Sequence, residues 1–174
     1  MTNIIISRVW AMPNKWTFKI KPIKELLNRY SVGKGWIDPF AGMYSPAEYT
    51  NDLNPECNAE YHLEATEFAK QLNGDKYTGV LFDPPYTLTQ VSRSYKMMNK
   101  DYCPRNKLDP TGGFPDVKNI LKDKITDGGI VISFGYNSVG FGKNRGFEIK
   151  EILLVSHGGN RNDTIVTVES KLKR

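Results

Sequence analysis

Apolar residues recur along this chain in two spacings. Ile23, Leu26, Leu27 and Tyr30 fall three or four positions apart among polar neighbours, which predicts an amphipathic helix over 20–30 with Pro22 accommodated in its first turn. Elsewhere the apolar residues form short continuous runs that stop at an acidic residue or at Gly or Pro, as expected of strands buried in a parallel sheet. These runs cover 35–38, 48–52, 60–63, 79–83, 129–134, 148–155 and 164–168. Further helices are predicted at 65–73, at roughly 88–98 and at 115–126, the last opening at Pro115 and closing before Gly128 and Gly129. Strands alternating with helices imply an α/β fold.

Spacing restricts that fold. A crossover between parallel strands needs a dozen or more residues, and the intervals from Gly42 to residue 49 and from Asp52 to Glu60 are shorter. The first half of the sheet is therefore expected to have turns where full helices would stand. The turn-rich segment 156–163 reads as the bend of a hairpin, which predicts antiparallel strands at the end of an otherwise mostly parallel sheet. The chain has 174 residues, no internal repeat and no Pro/Gly/Ser linker, so one domain spanning 1–174 is expected.

Composition narrows the class. With 39% hydrophobic and 25% charged residues the chain reads as an ordinary soluble domain. The run Ile4-Ile5-Ile6 is too short for a signal peptide and is soon followed by Pro13, Asn14 and Lys15, and no stretch has the ~20 apolar residues of a membrane span. Cys57 and Cys103 lack partners at zinc-ligand spacing, so no metal is expected, and a reducing cytoplasm is the expected compartment. The net charge of +5 is modest but unevenly placed. Residues 1–30 carry six basic and one acidic residue, residues 31–85 three and nine, and residues 86–118 six and three. An acidic segment thus lies between basic flanks.

The most informative residues are Asp83, Pro84, Pro85 and Tyr86, directly after an apolar run. Two prolines cannot continue a strand's hydrogen-bond ladder, so the strand ends in a stiff corner. That corner offers the Asp83 carboxylate, the Pro84 carbonyl and the flat face of Tyr86. Two acceptors beside a stacking surface suit an exocyclic amine on a planar base; a Pro-Pro turn with Asp83 as a helix cap is the plainer alternative.

This four-residue element resembles the catalytic signature of the S-adenosylmethionine-dependent DNA methyltransferases that act on amino groups, in particular the adenine-N6 type. A second element, Asp38-Pro39-Phe40-Ala41-Gly42, is similar to the segment with which that family wraps the methionine portion of its cofactor. The resemblance implies a Rossmann-like methyltransferase sheet and S-adenosyl-L-methionine as cofactor. It implies that Asp52 bonds the cofactor ribose, that Glu64 lies near its adenine, and that Asn14, Lys15 and Phe18 cover its carboxylate. It also implies an enzyme that methylates adenine in duplex DNA after extruding the base, since a base inside a duplex is out of reach. Such a compact enzyme looks like those carried by phages, with the host cytoplasm as its location.

DNA contacts are expected from the basic segments. Within 86–118, the expected substrate-recognition excursion, Arg93, Lys96, Lys100, Arg105 and Lys107 alternate with Tyr95, Tyr102 and Phe114. Lys143 and Arg145 are expected to form a second basic patch, and the resemblance implies that the hairpin bend, with His157 and Asn160, lines the pocket of an extruded base. With no separate recognition domain, specificity is expected from these loops, from a homodimer or from a partner chain. Two other readings stay open: a methyltransferase for cytosine N4, RNA adenine or protein glutamine, and a non-catalytic nucleic-acid-binding module.

Overall fold

A computed structural model describes residues 3–74, 76–86, 92 and 114–173. Seven strands form one sheet: β1 (Ile5–Trp10), β2 (Trp36–Asp38), β3 (Tyr49–Thr50), β4 (Tyr77–Phe82), β5 (Ile125–Gly135), β6 (Phe147–Ser156) and β7 (Thr164–Lys171). Their order across the sheet is β1-β6-β7-β5-β4-β2-β3. Strand β7 runs antiparallel to both neighbours, β5 and β6, and every other adjacent pair is parallel. The carboxyl ends of β1 to β6 therefore share one edge of the sheet, where open α/β sheets bind their ligands.

Alternation along the strands divides the core into two layers. Val80 and Phe82 of β4 join Ile37 and Val131 on one face, which is covered by α2 (Ala65–Gln71) and α3 (Pro115–Leu121). Leu81 joins Trp36, Ile132 and Phe134 on the other face, covered by α1 (Lys21–Arg29) through Ile23, Leu26 and Leu27. Polar ties fix the helices to the sheet. Glu151 on β6 is buried and accepts hydrogen bonds from Arg29 and from the Tyr30 hydroxyl, the latter at 2.8 Å. On the opposite face the Lys118 ammonium of α3 donates to the Gly140 carbonyl at 2.7 Å. Fully buried Glu169 accepts from the N–H groups of Phe141 and Gly142 at 2.6 and 2.8 Å, so the loop after β5 is pinned from below.

Several expectations are corrected. No strand is predicted before residue 35, yet Ile5–Trp10 form β1, every residue of which is exposed, so burial leaves no periodic signal there. Because β1 adds itself outside β6, the hairpin of β6 and β7 lies inside the sheet and not at its end. The predicted strand over 60–63 is a single bridge between Asn51 and Tyr61. The Asn51 side chain takes over from a ladder there, donating to the Leu63 carbonyl at 3.0 Å and accepting from its N–H at 2.9 Å. The helix expected over 115–126 stops at Leu121, and β5 begins at Ile125. Gly128 and Gly129 lie in a bulge of β5, where the register passes from Tyr77 opposite Ile125 to Gly79 opposite Ile130. The helix expected near 88–98 lies outside the described residues. No helix among the described residues is long and apolar enough to cross a membrane.

Candidate active site

Three neighbouring strands end in aspartates at the shared carboxyl edge. Asp38 closes β2, Asp52 follows β3 and Asp83 follows β4. The β2 carboxylate is fully buried, accepting from the Phe40 N–H at 3.0 Å and from the Ser45 hydroxyl at 2.6 Å. Burial pushes its pKa up to about 7, with the charges of Asp83 and Asp52 adding to the rise against those two hydrogen bonds. The acids singled out in separate motifs thus form one electrostatically coupled group.

The segment Pro39 to Gly42 bends over the end of β2. Asn51, buried after β3, holds the bend: its side-chain amide donates to the Pro39 carbonyl at 3.1 Å and its backbone carbonyl accepts from the Ala41 N–H at 2.9 Å. The Gly42 N–H donates to Asp52 at 2.8 Å, and the other Asp52 oxygen accepts from the Asn54 N–H at 2.8 Å. Gly42 has φ +55°, and a Cβ placed on it would meet no atom within 4 Å. A tight, left-handed turn facing open space next to a carboxylate can admit a ligand close to the backbone. Phe40 stacks edge-on against Phe82 with ring centroids 5.3 Å apart, so the bend is anchored in the core beside α3.

The corner after β4 is knit from three directions. The Tyr86 hydroxyl donates to Asp83, and the Thr17 side chain makes a second hydrogen bond to the same carboxylate. Burial raises the pKa of Asp83, and these two bonds oppose the rise. Burial, followed by the Asp83 charge, also holds the Tyr86 phenol well above its ordinary value. The Tyr86 ring lies 4.9 Å from that of Tyr136, which follows β5 and is 43% exposed.

The other predicted residues are more scattered. Glu64 immediately precedes α2 at its amino end. Phe18 packs edge-on against Phe134 in the core at 5.5 Å, and Asn14 accepts from the Trp16 N–H within its own turn at 2.9 Å. Lys15 is exposed and lies over the Trp16 ring. His157 ties strands together: its Nδ1 lies 2.9 Å from the Ala11 carbonyl and its Nε2 2.9 Å from the Thr164 hydroxyl. A carbonyl can only accept, so Nδ1 carries the proton. Arg145 donates to Asn119 at 2.8 Å and to the Phe141 carbonyl at 3.0 Å, while Lys143 and Asn160 are exposed. Arg93, Lys96, Lys100, Arg105 and Lys107 lie outside the described residues. Sequence reasoning missed Thr17, Ser45 and Asn51. Thr17 lies between Lys15 and Phe18, but nothing local marks its partner, 66 positions away.

No protein-family model matches the sequence, and no curated protein matches it by sequence. By structure the chain is similar to TrmN from Thermus thermophilus, with 16% identity, a TM-score of 0.57 and coverage of 88% of this chain. It spans about half of TrmN, 49% of that protein's length. It is also similar to the 1,6-didemethyltoxoflavin-N1-methyltransferase of Burkholderia thailandensis, solved with bound 1,6-didemethyltoxoflavin and S-adenosylhomocysteine. There the identity is 11%, the TM-score 0.54, and the match covers 86% of this chain and 76% of that one. The described residues thus adopt the Rossmann-like α/β fold shared by these two structures.

Proposed function

We propose that this protein transfers a methyl group from S-adenosylmethionine to N6 of adenine in DNA. The observation that carries the reading is the Asp83–Tyr86 corner at the carboxyl end of β4, inside the sheet and beside the ends of β2 and β3. The bound S-adenosylhomocysteine of the Burkholderia enzyme supports the choice of cofactor.

The bend at Phe40, Ala41 and Gly42, with its open turn at Gly42 and the adjacent Asp52 carboxylate, fits such a cofactor. Asp52 would accept from the ribose hydroxyls. When bound, the cofactor supplies an electrophilic methyl on a sulfonium sulfur.

Asp83 then has two tasks. Its carboxylate accepts a hydrogen bond from the exocyclic amine and so orients the nitrogen lone pair toward the methyl. Because burial raises its pKa, the same oxygen is a better base than an exposed aspartate and takes the proton that the methylated amine sheds. Tyr86, tethered to Asp83 through its hydroxyl, offers its ring beside the plane of the base. The Pro84 carbonyl is the second acceptor, and alignment supplies most of the acceleration.

The test uses S-adenosylmethionine with a labelled methyl group and offers DNA, RNA and protein as acceptors. The expected result is label in DNA, reduced at least about 100-fold by Asp83→Ala. Label confined to RNA or protein, or equal transfer by the variant, would overturn the reading.

A further inference from the structure

The described rim of the carboxyl edge carries a second feature that the reaction above does not use. Trp16, before α1, and Tyr44, in the loop after Gly42, meet edge-on with centroids 5.3 Å apart and planes at 75°. Each ring has an ammonium over it: Lys15 Nζ lies 4.8 Å from the Trp16 centroid, and Lys19 Nζ lies 3.4 Å from that of Tyr44. Neither ring belongs to the two core layers of the described residues. Tyr44 is 44% exposed, and both lysines are exposed.

We propose that Lys15, Trp16, Lys19 and Tyr44 form a binding site for an unpaired stretch of nucleic acid strand at the mouth of the catalytic corner. The proposal rests on the nucleic-acid reading of that corner.

The arrangement repeats one unit twice, an aromatic face with a cation on it, and a single strand presents the complement, a base with a phosphate beside it. A surface cation–π contact is weaker than the stacking of a base on an aromatic ring. An arriving base therefore displaces the lysine from the ring, and the freed ammonium moves to the adjacent phosphate. The exchange replaces one interaction with two. A closed duplex presents no base faces, so the site favours a strand opened around an extruded base.

Position supports this. Thr17, next to Trp16, hydrogen-bonds Asp83, and Ser45, next to Tyr44, hydrogen-bonds Asp38. The residues next to the two rings thus bond two of the three carboxylates at the strand ends, and Lys15 and Lys19 bring positive charge for a phosphate backbone to the same edge.

The test is fluorescence anisotropy with a labelled 12-nucleotide oligo-dT and a 12-base-pair duplex, titrated at several salt concentrations. Trp16→Leu with Tyr44→Leu should weaken oligo-dT binding by about 5- to 150-fold for each base that no longer stacks, and leave duplex binding within twofold. Trp16→Phe with Tyr44→Phe should retain it. Lys15→Gln with Lys19→Gln, at exposed positions that cannot unfold the core, should reduce the salt slope by about 1.4, or about 0.7 for each phosphate no longer neutralised. Unchanged oligo-dT affinity in the Leu pair, an unchanged slope in the Gln pair, or no oligo-dT binding by the wild type would overturn the proposal. Methyl-transfer assays on the same samples separate the two readings. Loss of stacking-dependent binding in a protein that transfers no methyl to DNA would retain this site and remove the adenine reading.

Discussion

At the scale of single residues, Asp38 and Asp83 are shaped more by where they are buried than by what they bond. Asp38 has two good hydrogen bonds, yet burial takes its pKa to about 7 against an ordinary value of 3.8. Between those values the folded protein holds a proton that the unfolded chain has released, so this group makes stability fall as pH rises from about 4 to about 7. Each pKa unit corresponds to about 1.4 kcal/mol. Asp38→Asn removes the titration while keeping the shape. Urea unfolding at pH 5 and pH 8 should therefore show a smaller loss of stability in the variant than in the wild type, by at least about 1.4 kcal/mol; equal losses would contradict the assignment. The acids were legible in the sequence because each ends an apolar run. Thr17, Ser45 and Asn51 were not, because a hydroxyl or amide takes its role from a partner that only folding brings near.

At the scale of elements, the sequence pattern located what is buried and missed what is not. Helix α1 matched its prediction to within a residue or so because Ile23, Leu26 and Leu27 face the sheet. β1 escaped because no helix among the described residues covers either of its faces, and Ile5, Ile6 and Trp10 are more than 60% exposed. Its register on β6 is held at the carboxyl end, where the Ala11 N–H donates to the Ser156 carbonyl at 2.9 Å and His157 bridges Ala11 to Thr164. His157→Ala leaves a half-buried carbonyl and a hydroxyl without that partner, which should cost about 1 kcal/mol. Hydrogen exchange should then show faster exchange along β1 with α2 and β4 unaffected; uniform protection equal to the wild type would show that the histidine does not secure the strand. The hairpin was also legible, from its turn-rich bend, but not its place. Which strand lies beside β5 depends on pairing across the sheet, and β7 inserts between β5 and β6.

At the scale of the whole molecule, chain order and charge converge on one edge. The acidic segment 31–85 contributes Asp38, Asp52 and Asp83 to three adjacent strand ends, and the basic segment 1–30 returns to the same edge with Lys15 and Lys19 over aromatic rings. The proposed methyl transfer would draw on each feature of this edge: the carboxylates around buried Asp38, the open turn at Gly42, and the rim of cations and rings. The measurement that tests this most directly is nucleoside chromatography of DNA incubated with the protein and S-adenosylmethionine, then digested to single nucleosides. The account predicts N6-methyldeoxyadenosine from the wild type and none from Asp83→Ala. Methylated cytosine in its place, or DNA without any methylated nucleoside, would contradict it.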